Sequence, residues 1–174
     1  MKYVLTYGAI GGAIAITIIS TTLALDMPSH STSLLVGYLV MLAALSLIFV
    51  GVKRYRDVEC GGVIRFSRAF GLGASMALVA GLVYAIGWEI FVGISGFDYM
   101  SGYTNDVIGG MQAEGAAQAA IDAKRVELSQ MGAMLANPLY RFPMIFAEIL
   151  PVGLLVALVA AGLLRNPKLL PARG

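Results

Sequence analysis

Residues 69–93 read AFGLGASMALVAGLVYAIGWEIFVG, and the only charge in that run is Glu89. A helix that crosses a bilayer needs about 20 mostly apolar residues. This run is long enough, and it is apolar on every side rather than along one stripe, as a helix surrounded by lipid must be. Its glycines and alanines are ordered: Gly73, Ala77, Gly81 and Ala85 recur at intervals of four. Lipid tails offer no hydrophobic drive for one helix to join another, so small residues that let backbones approach closely become the packing face. Glu89 lies four residues beyond Ala85 and continues the stripe. Its carboxylate is therefore expected to face a neighbouring helix and not lipid.

Three further runs have the same character, at about 4–25, 33–52 and 142–164. The first two hold no charge and the last holds only Glu148. The last carries its own small residues, Gly153, Ala157 and Ala161, and the first carries Gly8 and Gly12. Packing within one chain is the expected use of these stripes; the competing use is contact with a second copy or another membrane protein. The whole chain fits this pattern. Of its 174 residues 59% are hydrophobic and 13% charged, with a mean hydropathy of +0.82. A soluble domain averages about 45–50% apolar and about 25% charged. The expectation is a single all-α domain over residues 1–174, a polytopic membrane protein with four transmembrane helices. The N-terminal run is too long for a signal-peptide core and no convincing small-x-small cleavage site follows, so it reads as an uncleaved span.

Lysine and arginine between the spans set the expected orientation. The 53–68 segment carries Lys53, Arg54, Arg56, Arg65 and Arg68; the tail carries Arg165, Lys168 and Arg173; Lys2 precedes the first span. The short segment after the first span has neither residue type. In the long 94–141 segment Lys124, Arg125 and Arg141 are outweighed by Asp98, Asp106, Glu114, Asp122 and Glu127. Both termini are thus expected on the cytoplasmic side of a bacterial inner membrane, with 94–141 on the outer, periplasmic side. The partner implied for the basic 53–68 segment is anionic lipid head groups, not nucleic acid.

The 94–141 segment is rich in helix formers. Ile121, Leu128, Met131 and Leu135 recur on one helical face, so one or two short helices are expected there. Asn137-Pro138 closes the last of them, because proline disfavours a helical residue before it.

Polar groups gather at one membrane level. At about 1.5 Å per residue Glu89 lies roughly 30 Å along the third span and Glu148 roughly 9 Å into the fourth, which runs the other way. Arg141 stands at the start of the fourth span, two turns from Glu148 on the same face, and Pro151 is expected to kink the helix beside Glu148. Asp26, His30, Asp98 and Tyr140 flank this level. A carboxylate in a bilayer costs about 2.5–3.5 kcal/mol on insertion scales, so these groups have a reason to be together. The candidate site is an outward-facing polar pocket with Glu89, Glu148 and Arg141 at its heart and Tyr84, Trp88 and Asp98 around it. The competing reading is a structural network that locks the third and fourth spans.

Other constellations are missing. His30 is the only histidine and Cys60 the only cysteine, too few for a zinc set. Met131 and Met134 alone have a local spacing of the kind Cu(I) takes, and methionine is ordinary packing material. Gly61-Gly62 lacks the lysine-serine/threonine ending of a phosphate loop. No nucleophile–base motif is present, so neither a catalytic residue nor a metal or other cofactor is expected.

Several short motifs, in this order, resemble a family of small bacterial membrane proteins called domain of unknown function 4199. They are Gly61-Gly62-x-Ile64-x-Phe66-x-x-Ala69-Phe70 before the third span, then Tyr84 and Gly87-Trp88-Glu89, then Asn137-Pro138, Glu148 and Pro151-Val152-Gly153. The resemblance implies a four-helix membrane protein and brings no activity or residue roles with it. The expected function is a non-catalytic accessory, assembly or envelope component. The alternatives are a small proton- or ion-coupled carrier using Glu89 and Glu148, and an intramembrane enzyme acting on lipid or envelope precursors.

Overall fold

The computed structural model describes residues 1–24, 30–96 and 98–171. Asp26, Met27 and Arg173 lie outside the described residues, as does the side chain of His30. The described chain forms the helices α1 (Lys2–Ala24), α2 (His30–Leu45), α3 (Leu47–Glu59), α4 (Phe66–Ser95), α5 (Tyr99–Ala113), α6 (Gln118–Leu135) and α7 (Pro138–Leu164). Backbone groups in lipid have no water to bond, so an apolar chain must satisfy them within helices. Among the described residues four helices are long and apolar enough to cross a membrane: Lys2–Ala24, Gly37–Glu59, Phe66–Ser95 and Pro138–Leu164. The second of these joins α2 to α3 through Ser46, whose hydroxyl donates to the Ala43 carbonyl at 2.6 Å. The residue keeps helical backbone angles, φ −58° and ψ −19°. Such a back-bond to the preceding turn bends a helix without ending it.

Most of the apolar surface points away from the protein. On α4 Leu78, Leu82, Ile86 and Ile90 stand outward at a spacing of four, each 46–55% exposed. A water-soluble monomer does not carry so continuous an apolar face. The inward face of α4 is the small-residue stripe, and α1 and α7 pack on either side of it. A Cβ on Gly8 would meet Val79, one on Gly12 would run into the Ala80 carbonyl, and Gly87 faces Ile16. The contacts rise together along both chains, so α1 is parallel to α4. On the other side a Cβ on Gly73 would lie 2.8 Å from that of Ala157, one on Gly153 would lie 2.7 Å from that of Ala77, and Gly81 faces Phe146 and Ile149. Here one chain rises as the other falls, so α7 is antiparallel to α4. Ile48 of α3 reaches the crossing of Gly73 with Ala157 and closes the core.

Helix ends depart from the apolar boundaries at two places. The second span does not stop near residue 52 but runs to Glu59, because Lys53 and Asp57 pair across one turn at 2.5 Å and Arg56 is fully buried. The loop before α4 therefore shrinks to residues 60–65. The fourth span starts at Pro138, four residues before its apolar run. Asn137 is its N-cap, the side-chain oxygen accepting from the Leu139 N–H at 3.0 Å, and proline suits the first helical position. Asn137-Pro138 thus opens α7, while α6 ends at Leu135.

Arg56 makes the tail part of the fold. Its guanidinium donates to the carbonyls of Leu164 (3.5 Å), Leu169 (3.0 Å) and Leu170 (2.5 Å), and to Asp57 at 2.7 Å. It satisfies a carbonyl at the end of α7 that has no helical partner. Leu170 has φ +50°, a conformation a branched side chain rarely adopts, and its carbonyl is one of those held. At the other end of the bundle Gly96 closes α4 in the left-handed region at φ 63°, and Asp98 caps α5 through the Ser101 N–H at 3.1 Å. The helices α5 and α6 fold back on each other at Gly115, φ 74°, around a small core of Ile108, Ile121 and Leu128.

Candidate functional site

A chamber of about 820 Å³ opens where α5 and α6 meet the ends of the spans. Small residues draw α4 tightly to α1 and α7. Ile19 and Leu23 come from α1, Gly37, Tyr38 and Met41 from α2, Tyr84, Trp88 and Val92 from α4, and Arg141, Met144, Ile145 and Glu148 from α7. Met100 of α5, Leu135 of α6 and Asp98 close the end. Tyr38, Met144 and Glu148 line the chamber and are also exposed, so the α2–α7 side stands open to the surroundings. A Cβ built on Gly37 meets nothing within 4 Å.

The expected site residues fall into two groups. Glu148, Arg141, Trp88, Tyr84 and Asp98 all lie on the chamber wall. Glu89 does not. It is bound by Arg141, whose Nε donates to Oε1 at 2.8 Å and whose second terminal nitrogen donates to Oε2 at 2.5 Å. Both side chains are about one-fifth exposed. The same guanidinium reaches the Leu135 carbonyl at the end of α6 at 3.4 Å. Arg141 thus ties α4, α6 and α7 together, and a two-pronged charged pair of this kind fixes orientation as well as energy.

Three further polar side chains on the chamber wall, Tyr84, Trp88 and Glu148, have no hydrogen-bond partner among the described residues. Tyr84 is 2% exposed and Trp88 7%, yet among the described residues neither the Tyr84 hydroxyl nor the Trp88 ring nitrogen has a hydrogen-bond partner, and none of their buried side-chain nitrogens or oxygens is left unsatisfied away from an accessible surface. Both side chains line the chamber. Glu148 has no hydrogen bond or ion pair among the described residues, and it shares the chamber wall with Tyr84.

A family model matches residues 6–166, nearly the whole chain. The chain belongs to the family described as protein of unknown function (DUF4199). No curated protein and no solved structure matches it. The family thus adds membership and no chemistry, and the chamber is the feature of this DUF4199 member on which chemistry can be argued.

The sequence grouped Arg141 with both Glu89 and Glu148, and the structure pairs it with Glu89. Arg56, counted among the surface cations of the basic segment, is wholly inside. A signal for it does exist: Ile48, Val52 and Arg56 recur at intervals of four, so the arginine continues a buried stripe.

Proposed function

We propose that this protein is a non-catalytic membrane component that binds a small amphiphilic molecule in the chamber, on the outer side of a bacterial inner membrane. The observation that carries this reading is a chamber of about 820 Å³ lined by the otherwise buried Tyr84 and Trp88, whose polar atoms have no hydrogen-bond partner among the described residues. Ligand sites are concave, mostly apolar, about 300–1,000 Å³ in volume, and hold a few convergent polar groups. The walls from Ile19, Leu23, Met41, Val92 and Ile145 suit a hydrocarbon chain, and the open α2–α7 side suits entry from the bilayer. Native mass spectrometry of the protein released gently from its own membranes tests the reading. Wild-type protein carries a bound amphiphile, and Gly37→Phe, which fills open space, loses it. Equal retention by both would remove the chamber from the argument, and a bare wild-type protein would end the reading.

A proton- or ion-coupled carrier is the second reading. It is favoured by Glu148 standing three residues before Pro151 in α7, where proline leaves the Ala147 carbonyl without its helical donor. With Glu89 held by Arg141, Glu148 is the one acid of the pair available to such a cycle. Proteoliposomes with no proton- or cation-dependent flux would remove this second reading. An intramembrane enzyme would likewise have to work through Glu148.

A further inference from the structure

We infer that the molecule taken by the chamber carries an ammonium group, for which Glu148 is the counter-ion. This rests on the binding role proposed above and names the chemistry of its ligand. The charges at the chamber can be followed element by element. The described lining residues of α1, α2, α4 and α6 are neutral. Of the two charged groups from α7, Arg141 is neutralised by both oxygens of Glu89. Asp98 sits at the end, with one oxygen spent on the Ser101 N–H. Glu148 has no partner among the described residues. Among the described residues the charge this wall lacks is therefore positive. A carboxylate against apolar walls is costly until an opposite charge reaches it, and a ligand that brings that charge recovers the cost. A ligand anion would set like charge beside like.

The neighbouring groups fit the same headgroup. An ammonium has three N–H donors and no acceptor. Glu148 and the Tyr84 hydroxyl oxygen, both on the chamber wall, can each accept one of them. Tyr38, Tyr84 and Trp88 give the chamber three aromatic rings, the side chains whose faces attract cations. The indole N–H of Trp88 is a donor only and is left for an oxygen of the ligand or a water molecule.

Trp88 is the single tryptophan of the chain, so its fluorescence reports directly from the chamber wall. The test uses the full chain in nanodiscs of zwitterionic lipid, titrated separately with dodecylamine, dodecanol and dodecanoate, and with ethanolamine as a competitor. Dodecylamine is expected to bind about tenfold tighter than dodecanol, the size of one added charged hydrogen bond, with dodecanoate weakest. Glu148→Gln, its fold checked by thermal unfolding, brings amine and alcohol within about twofold of each other while both still bind; Glu148→Asp keeps the amine preference. A preference that survives Glu148→Gln, or alcohol or carboxylate binding as well as amine, would overturn the ammonium and leave the amphiphile role standing. Competition by ethanolamine at matching strength would keep the ammonium and overturn the amphiphile. No response of Trp88 to any of the four would overturn both.

Discussion

Arg141 meets Glu89 at the last step of a ladder. Gly73 of α4 faces Ala157 of α7, Ala77 faces Gly153, and Gly81 faces Ile149; each step of four up α4 is matched by a step of four down α7. Continuing the same register by two more steps brings Glu89 to Arg141, where both carboxylate oxygens are bound. The ion pair is thus the polar end of a close-packed helix contact, and the chamber lies beside it.

That position predicts strong coupling. Removing one partner of a largely buried pair leaves the other charge uncompensated, at about 3–5 kcal/mol where burial is complete. With both side chains about one-fifth exposed, Arg141→Ala is expected to cost about 2–3 kcal/mol. Arg141→Lys recovers only part of it, since an ammonium cannot take both oxygens in a fork. In a double-mutant cycle with Glu89→Gln, read by unfolding in detergent, the coupling should reach about 1–3 kcal/mol. Additive losses would mean that the pair contributes no joint stability.

The ladder below the pair predicts which glycines matter. Gly73→Val and Gly153→Val would each push side-chain atoms into the opposing alanine backbone, where overpacking costs about 1–3 kcal/mol. A Cβ on Gly93, in the same helix as Gly73, meets nothing within 4 Å. Gly93→Ala should therefore be neutral or slightly stabilising, by at most about 1 kcal/mol. Melting temperatures of the three variants in one detergent give the comparison; equal effects at Gly73 and Gly93 would contradict the packing described.

These stripes were readable from spacing alone, because in lipid the packing face is marked by residue size and size is written in the sequence. Glu89 was readable for the same reason, as the next position on a stripe. Its partner was not. Hydropathy ends at Phe142, so Arg141 looked like the mouth of a span when it is inside the first turns of α7, started early by Asn137 and Pro138. The register that pairs residue 89 with 141 also depends on which face of α7 meets α4, and two candidate acids left that choice open. Arg56 was hidden for a different reason. A cation among cations reads as surface, and nothing local says that the C-terminal tail will fold back to supply carbonyls.

Arg56 therefore predicts a separation between neighbouring cations. Arg56→Met removes donors from three tail and helix-end carbonyls, one in a buried bond and two in part-buried ones, and strips the buried partner from Asp57; a buried acceptor left without a partner costs about 1–3 kcal/mol. The expected result is a loss of at least about 3 kcal/mol and a tail that becomes open to carboxypeptidase. Arg65 is exposed, and Arg65→Met should change stability by less than about 0.5 kcal/mol. A tail equally protected in both variants would show that the guanidinium does not hold it.

Orientation gives the last prediction. Contacts bring the basic segments to one end of the bundle: Lys2 pairs with Glu59 at 3.2 Å, Tyr3 donates to Glu59, and Arg56 holds the tail at Leu169. Asp98, Asp106, Glu114, Asp122 and Glu127 belong to the segment that caps the opposite end. Lysine and arginine close to span ends are retained on the cytoplasmic side during insertion, and acidic residues weigh little. Arg56 still counts in that balance although it ends up buried, because the choice is made before the helices pack. Green fluorescent protein fused after Gly174 should therefore fluoresce, and alkaline phosphatase should be active when placed at the α5–α6 turn beside Gly115 and inactive at the C-terminus. The reverse pattern would turn the chamber towards the cytoplasm, and its ligand would then have to be sought among the amphiphiles of the inner leaflet.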